Sequence, residues 1–301
     1  MDIKQRFMNA VDYVIEKVKA DKNVIALIIQ GSLSYDAVWE KSDIDSILVI
    51  RDQPLNATSF CLNVDDIPFN IQLVERSKLK RYWEKSFDGS IHHSFITTCQ
   101  IVYTNDNSLY DYLEDLKKVG KDDLMQSSMG IATHITYCLE KCQKWLIVKN
   151  NPQYAQFWIL KASEAIANMI ICLNYETPNR EAVLRAKEIN PTIMKQIYDI
   201  PLSKSLNFTE VEETIKLMES YLASTVQTFS KPILDYLEDG EVKTLSVMAK
   251  YFKTDSHSLF HLLDYLCDKE IIIKVSEIIN ITPKSRKILE EMAFIKVPDQ
   301  F

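Results

Sequence analysis

The first 120 residues alternate between helical and strand-like hydrophobic patterns. Apolar positions at three- and four-residue spacing predict an amphipathic helix over the first 18 residues. Apolar runs of strand length follow at 24–30, 44–50, 69–74 and 99–103. This alternation predicts an α/β (α+β) domain with a mixed sheet over residues 1–120.

After residue 120 the strand patterns stop and helical periodicity takes over. Two long apolar segments at helical period are separated by the break Asn150-Asn151-Pro152, and further helices are predicted around 180–187 and 209–229. Residues 121–230 are therefore predicted to form a helical bundle. The last segment, 231–301, has the order helix, helix, helix, strand pair and closing helix, which predicts a small winged-helix module.

Composition and charge narrow the class of protein. The 301 residues are 47% hydrophobic and 26% charged, as in ordinary globular proteins, and six scattered cysteines without a C-x-x-C pair predict a cytoplasmic location. No apolar run reaches the length of a membrane span, so no membrane association is expected. The net charge of −7 gives no overall attraction to nucleic acid.

The candidate chemistry lies in the stretch GSLSYDAVWEKSDIDSILVI, residues 31–50. Asp43 and Asp45 are two residues apart and project from one face of the strand 44–50. Such a pair is ordinarily a solvated strand end, but a preceding strand and the turn Gly31-Ser32 change that balance. Two carboxylates suit Mg²⁺, and backbone N–H groups and a hydroxyl at the turn suit phosphate, so a metal and phosphate site is predicted.

A buried strand, Gly-Ser, about ten residues and Asp-x-Asp in a second strand together resemble the polymerase-β-like nucleotidyltransferase superfamily. The resemblance implies that Asp43 and Asp45 are catalytic and hold Mg²⁺. It also implies that Gly31 and Ser32 position the β- and γ-phosphates of ATP, the co-substrate. The alternation of side chains along a strand predicts only that Asp43 and Asp45 share a face. Their catalytic and phosphate-binding context is implied by the resemblance.

A second motif, CLEKCQKWLI, resembles the Glu-x-x-x-Lys-Trp pattern of the kanamycin-type aminoglycoside nucleotidyltransferases. That resemblance implies that Glu140 is the general base for an acceptor hydroxyl and that Lys144 binds the nucleotide through its triphosphate. Spacing alone allows a simpler interpretation, an exposed helical ion pair at i and i+4. The three-part layout also resembles uncharacterised nucleotidyltransferase-like proteins of Gram-positive bacteria, and relatives of the kanamycin type imply a homodimer.

One position departs from the superfamily pattern. A third carboxylate is expected on the strand 69–74, but Asn70 occupies that position as the third candidate metal ligand. Gln72 shares its face and Glu75 does not. A carboxamide can ligate a cation through its carbonyl but carries no charge, so a second metal would be bound more weakly.

Two functions from different classes follow. The first is an enzyme that transfers a nucleoside monophosphate, AMP from Mg-ATP, to a hydroxyl of a small-molecule acceptor. The second is a catalytically inactive, nucleotidyltransferase-like ligand sensor that acts as a regulator through the winged-helix module. Asn70 favours the second. The first is favoured by the joint presence of Gly31, Ser32, Asp43, Asp45, Glu140 and Lys144.

Other candidate sites are weaker. Five basic residues against Glu84 give a charge of +4 within eleven residues, either a solvated helix face or a polyanion contact: Arg76, Lys78, Lys80, Arg81 and Lys85. The helical series His134, Cys138 and Cys142 suits core packing better than a soft metal, and the pair His92-His93 carries no further signal.

The charges of the last segment bear on DNA binding. Residues 231–301 hold ten Lys or Arg and twelve Asp or Glu, and the expected recognition helix has three aspartates and no Lys or Arg. Because phosphate contacts dominate DNA affinity, a packing or protein-contact role is favoured. DNA binding stays open through a weak basic group in the wing region: Lys274, Lys284, Arg286 and Lys287.

Overall fold

A computed structural model of the chain describes residues 2–35, 38–84, 98–116, 120–177, 181–282, 284–285 and 288–297. By their internal contacts the described residues form two compact units: the first holds the residues up to Gly120 together with Thr177, and the second holds the other residues from Lys121 onwards. The predicted boundaries between three domains stay predictions. Lys85, His92, His93, Arg180, Arg286 and Lys287 lie outside the described residues.

The first unit is a sheet with helices. Its elements in chain order are α1 (Ile3–Lys19), β1 (Val24–Gln30), a 3₁₀ turn (Ser32–Tyr35), β2 (Ile44–Ile50), β3 (Ser59–Val64), β4 (Ile67–Glu75), α2 (Arg76–Glu84), β5 (Gln100–Thr104) and α3 (Ser108–Leu116). The five strands lie in the order β3-β4-β2-β1-β5. Only β2 and β4 pair in parallel, so the sheet is mixed, as predicted.

Both faces of this sheet are covered by apolar side chains. One face packs on α1 through Phe7 and Val11, and the other carries Ile47 and Val49 against Leu79 and Trp83 of α2. The central strands β1 and β2 are therefore continuous apolar runs, as expected for strands buried on both faces. Polar side chains interrupt these runs at Gln30, the end of β1, and at Asp45 and Ser46 near the start of β2.

The sequence patterns missed strand β3. It is an exposed edge strand, joined to β4 by a hairpin whose two loop residues, Asp65 and Asp66, have φ of 51° and 60°. Positive φ at both loop residues is the geometry of a type I′ turn, which matches the twist of the paired strands. A signal was present, because Asp-Asp separates two short alternating runs.

The second unit begins with the predicted bundle. Its elements are α4 (Lys121–Gln143), a π-helical turn (Lys144–Val148), α5 (Pro152–Leu173), α6 (Ala182–Ile189), α7 (Pro191–Met194), a second π-helical turn (Lys195–Asp199), α8 (Ile200–Ser203) and α9 (Phe208–Phe229). The break before α5 is a helix start, because the Asn151 side chain accepts a hydrogen bond from the Tyr154 backbone N–H and Pro152 occupies the first turn.

The same unit contains the last segment of the chain. Its elements are α10 (Lys231–Tyr236), β6 (Lys243–Thr244), α11 (Leu245–Tyr251), α12 (Ser256–Asp268), β7 (Ile272–Asn280) and β8 (Ile288–Lys296), with the strands in the order β6-β8-β7. The predicted closing helix is wrong. Residues 288–296 form β8, which pairs with β7 along its whole length, and this ladder outweighs the helical propensity of the Glu-Glu-Met stretch.

A single hydrophobic core runs through the second unit. Ile135 and Ile166 of the long bundle helices belong to the same cluster of buried side chains as Leu259 and Leu262 of α12. Helix α5 is the one helix among the described residues that is long and apolar enough to cross a membrane. Of its most apolar window, 56% is buried inside the protein, as in a core helix.

Candidate active site

A row of polar residues crosses four strands of the first unit. Gln30 on β1 pairs with Asp45 on β2, Asp45 pairs with Asn70 on β4, and Asn70 pairs with Cys61 on β3. Because side chains alternate along strands, these residues share the sheet face that carries Ile47 and Val49 further along β2. The row therefore continues one face of the core as a polar surface.

Asp43 and Asp45 converge, and Asn70 joins them. The Asn70 amide nitrogen donates hydrogen bonds to Asp43 Oδ2 at 2.8 Å and to Asp45 Oδ1 at 3.1 Å. The Asn70 carbonyl oxygen of the backbone accepts a bond from the Ser46 hydroxyl at 2.9 Å, which fixes this strand position. Two like charges can lie this close because one amide group donates to both of them.

The Gly31 turn lies directly against this group. Gly31 is buried with φ +78°, and a Cβ atom placed on it would lie 3.0 Å from Asp45 Oδ2. Glycine is therefore required both by the backbone conformation and by the close approach of the carboxylate. Ser32 starts the 3₁₀ turn that follows, and the Ser34 hydroxyl donates to the Gly31 carbonyl at 2.7 Å.

A cleft of about 420 Å³ opens beside these residues. Asp45 and Asn70 line one part of it, and Cys61, Phe60 and Tyr82 line another. Burial raises the pKa of the Tyr82 hydroxyl, so this group stays protonated at neutral pH. The cleft combines one carboxylate, amides and two aromatic rings, which is a surface able to bind a small polar ligand.

The donor set fits one hard cation and not two. Asp43 and Asp45 already approach one nitrogen from two sides, and the Asn70 carboxamide also contains a carbonyl oxygen, a ligand that Mg²⁺ accepts. No group of three or more His, Cys, Asp or Glu side chains suited to a metal occurs among the described residues. A third charged ligand, which a second cation would need, is replaced here by the neutral amide.

Glu140 and Lys144 lie in the second unit. Glu140 is near the end of α4, and its Oε1 atom is 2.7 Å from Nδ1 of His261 on α12. Lys144 is exposed and begins the π-helical turn, in which the Lys149 N–H donates to the Lys144 carbonyl five residues back. Among the described residues, the partner of the Glu140 carboxylate is therefore His261, and not Lys144 as in the simpler interpretation of a helical ion pair.

His261 is a residue that the sequence patterns missed. Its side chain is only 7% exposed, its ring packs edge-on against Tyr137 at 5.1 Å and His257 at 4.8 Å, and its Nε2 atom is buried without a partner among the described residues. An ionised carboxylate only accepts hydrogen bonds, so the N–H group of His261 in this contact is at Nδ1, and it donates to Glu140 Oε1. The partners are 121 residues apart, and no local pattern points to such a pair.

The remaining candidates have structural partners. Cys138 and Cys142 are fully buried in the core, where burial raises the pKa of both thiols, and Cys138 Sγ lies 3.7 Å from His134 Nε2. In the basic helix, Arg76 donates to Asp106 at 2.7 Å and Lys78 pairs with Glu75. Local carboxylates therefore offset part of its charge.

A scan against protein-family models finds no match, and neither does a search of curated proteins. Among solved structures, the chain matches the crystal structure of a nucleotidyltransferase-like protein from Exiguobacterium sibiricum with a TM-score of 0.66 and 14% identity, over 96% of this chain and 99% of that one. The fold is that of a nucleotidyltransferase-like protein. The predicted resemblance is thereby confirmed at the level of the fold.

The nucleotidyltransferase-like fold extends over nearly the whole chain in this comparison, including the residues after 230. The chain is also similar to spectinomycin adenyltransferase AAD(9) from Enterococcus faecialis, whose crystal structure contains ATP and spectinomycin, with 15% identity over 72% of this chain and 98% of that one. The TM-score of that match is 0.33, which is too low to assign a shared fold.

Proposed function

We propose that the protein is a nucleotidyltransferase that transfers AMP from Mg-ATP to a hydroxyl of a small acceptor. The observation that carries this proposal is the convergence of the Asp43 and Asp45 carboxylates on one atom, directly beside the Gly31 turn. A cation site and a phosphate-binding turn in direct contact are what phosphoryl chemistry requires. The nucleotidyltransferase-like fold supports the same conclusion.

In this reaction the acceptor oxygen bonds to the α-phosphorus, the bond to the bridging oxygen breaks, and pyrophosphate leaves. A bound Mg²⁺ would neutralise phosphate charge and orient the phosphates. Asp43 and Asp45 would hold it, while Gly31 and Ser32 would offer backbone N–H groups and a hydroxyl to the phosphate oxygens. The acceptor hydroxyl would give its proton to a general base. The resemblance alone assigns that role to Glu140, and it alone assigns a contact with the triphosphate to Lys144.

The second candidate is a ligand sensor that has lost catalysis. Its specific support is Asn70, because a neutral amide replaces a third carboxylate and its N–H group bonds the two carboxylates that would attract a cation. The comparison with solved structures does not favour it. A sensor would bind nucleotide with little or no transfer.

We further propose that residues 231–301 form a winged-helix module that packs on the bundle. The order helix, short strand, two helices and a two-stranded hairpin supports this proposal. The expected recognition helix α12 contributes Leu259, Leu262 and Leu266 to the core of the unit. Lys274 of the hairpin pairs with Asp264 and lies over the Phe260 ring at 5.8 Å.

Labelled ATP, Mg²⁺ and a library of hydroxyl compounds test the enzyme directly. We expect labelled AMP adducts with the wild type and a loss of at least about 100-fold in Asp43→Asn and Asp45→Asn, because each change removes a charge that holds the cation. Asp12→Asn is the matched control, since Asp12 is an exposed aspartate on α1 in the same unit.

The outcomes separate the two candidates. Equal adduct formation in Asp45→Asn and the wild type would contradict the assigned site. Nucleotide binding without any adduct, measured by calorimetry with the same ATP and Mg²⁺, would overturn the enzyme and favour the sensor. Other nucleoside triphosphates in the same assay establish the nucleotide preference.

A further inference from the structure

The Asn70 side chain links the two carboxylates of the proposed cation site. Its amide nitrogen bonds both candidate metal ligands, at 2.8 Å to Asp43 and 3.1 Å to Asp45. A carboxylate at this position could not donate to either of them, because ionised carboxylates only accept hydrogen bonds. The Asn70 amide therefore holds two negative groups together. With a third carboxylate in its place, only a bound cation could do so.

The amide has two different ends. The NH₂ group of a carboxamide donates, whereas its carbonyl oxygen accepts hydrogen bonds or ligates a hard cation. The NH₂ group occupies the space between the two carboxylates, where a bound cation would also lie. An N–H group pointing at a cation is unfavourable, so the same side chain cannot keep this orientation once a cation binds.

The surroundings allow the amide to turn without moving the strand. The backbone at Asn70 is fixed by its register with Asp45 and by the bond from Ser46, while the side chain is half-buried and lines the cleft. The neighbouring amide, Gln72, is bonded instead to the Thr58 carbonyl at 2.8 Å, away from the aspartates. Asn70 is thus the one amide among the described residues that bonds both Asp43 and Asp45.

We propose that Asn70 is a positioning residue that substitutes for the cation in the metal-free protein and turns to become its ligand when the cation binds. Without a cation, the NH₂ group of Asn70 keeps Asp43 and Asp45 together. With a cation, the amide turns so that its carbonyl oxygen faces the metal. The site takes one divalent cation and stays folded without it. This inference rests on the location of the proposed site but not on turnover.

Thermal unfolding with EDTA or with Mg²⁺ tests the first half of the proposal. We expect the wild type to stay folded in EDTA and to gain in Mg²⁺ only the small Tm increment that binding of one cation provides. We expect Asn70→Asp to have a lower Tm in EDTA and to recover in Mg²⁺, because three adjacent carboxylates repel one another until a cation binds. Its affinity for Mn²⁺, measured by EPR, should rise by about tenfold, because added ligand charge tightens cation binding.

Gln72→Glu is the matched control. It makes the same amide-to-carboxylate change two residues along the same strand and face, but outside the pair of aspartates. We expect its Tm to show the same cation dependence as the wild type. If Asn70→Asp shows no greater cation dependence of Tm than Gln72→Glu and the wild type, the proposal is wrong.

The second half of the proposal is tested by NMR of the side-chain amide. The Asn70 NH₂ resonances are assigned by their disappearance in Asn70→Asp, and Mg²⁺ is then titrated without nucleotide. We expect both NH₂ protons to shift upfield and to exchange faster as they lose their carboxylate acceptors. Unmoved resonances under conditions in which EPR shows Mn²⁺ bound would overturn the turning step.

Neither readout depends on catalysis. A protein that transfers no AMP but shows these cation responses would contradict the proposed enzyme and leave the role of Asn70 intact. A protein that transfers AMP while its Asn70 resonances stay unchanged on Mg²⁺ binding would contradict the role of Asn70 and leave the proposed enzyme intact. The two proposals therefore fail separately.

Discussion

Nδ1 of His261 lies 2.7 Å from Oε1 of Glu140, and this contact joins helix α12 near the end of the chain to helix α4. The imidazole is almost fully buried, whereas the carboxylate is 45% exposed. A rigid, buried donor thus holds one oxygen of a partly solvated acid. If Glu140 is the general base expected from the resemblance, His261 fixes its orientation.

Replacement of His261 separates positioning from stability. We expect His261→Phe to lower kcat by about tenfold or more, because the ring remains but the donor to Glu140 is lost and a misplaced base is a poor one. His261→Asn keeps a donor of similar reach and should retain more activity. KM for ATP should change little in either variant. Steady-state kinetics of AMP transfer measures these values.

Stability provides the control for this pair. Since Glu140 is partly exposed and can be solvated, loss of the hydrogen bond should cost no more than about 1 kcal/mol of unfolding free energy. A drop in kcat that simply tracks a large loss of Tm in both variants would show that His261 is structural only. An unchanged kcat in His261→Phe would rule out the positioning role.

Gly31→Ala should disrupt the contact between the turn and Asp45. A side chain at φ +78° costs about 1–2 kcal/mol, and the added Cβ would also lie 3.0 Å from Asp45 Oδ2. We expect lower stability and impaired nucleotide binding. Urea unfolding and calorimetric titration with ATP and Mg²⁺ measure the two effects.

Gly240→Ala isolates the backbone part of that loss. Gly240 has φ +70°, but a Cβ atom there would meet nothing within 4 Å. This variant should therefore lose about as much stability from its backbone as Gly31→Ala does, while nucleotide binding is unchanged. Equal nucleotide affinity in the two variants would show that the contact with Asp45 does not matter for binding.

Cys61 offers a chemical probe of the cleft. Its thiol is exposed and lies across the strand pair from Asn70, whereas Cys99, Cys138, Cys142 and Cys172 are buried. We expect a thiol reagent to label Cys61 first in the folded protein, and saturating ATP with Mg²⁺ to slow this labelling severalfold. Labelling of Cys61→Ser provides the background rate. An unchanged rate with nucleotide bound would place the nucleotide elsewhere.

Buried thiols predict a loss of stability in alkaline solution. Burial raises the pKa of Cys138 and of Cys172 from 9.0 to about 11, so the folded state holds these protons more tightly than the unfolded chain. Their contribution is complete below pH 9 and is lost as the pH rises from about 9 to 11. The free energy of unfolding should fall by on the order of 1–2 kcal/mol per thiol.

Urea midpoints at pH 8 and pH 10.5 measure this fall. The double variant Cys138→Ala, Cys172→Ala should start from a lower stability and show a shallower decline over the same interval. Tyr265, whose pKa is raised to about 12 by burial, contributes in both proteins and so cancels in the comparison. Parallel declines in the two proteins would contradict the thiol explanation.

The hairpin and α12 predict weak or no DNA binding. Residues 231–301 carry a net charge of −2, and Lys274 already pairs with Asp264. With few cations to neutralise phosphates, affinity for random duplex DNA at about 0.15 M salt should be no tighter than roughly 10⁻⁴ M. A gel shift with labelled duplex measures this, and a complex at micromolar protein would show that the module binds DNA.

The sequence predicted the elements whose pattern is set by burial on a long stretch. Strands β1 and β2 are apolar on both faces, and helix α9 begins one residue from its predicted start. Elements defined by pairing were harder. Strand β3 is an exposed edge, and β8 contains helix-favouring glutamates, so only their hydrogen-bonded partners reveal them as strands.

The candidate site divides in the same way. Alternation predicted that Asp43 and Asp45 share one face, and the family resemblance associated Gly31 and Asn70 with them. The amide bonds of Asn70 to both aspartates required coordinates, because spacing does not reveal which end of a carboxamide faces a carboxylate. The partner of Glu140 was hidden for another reason, since His261 lies on a helix that sequence alone associates with a different module.

The common core of the second unit has a consequence for how this protein can vary. Truncation after residue 230 would strip Leu259, Leu262 and Leu266 from the packed interior and leave a bare apolar stripe along the bundle. The C-terminal segment therefore cannot be removed or exchanged independently of the bundle. A stable version of the bundle, natural or engineered, therefore has to include residues 231–301.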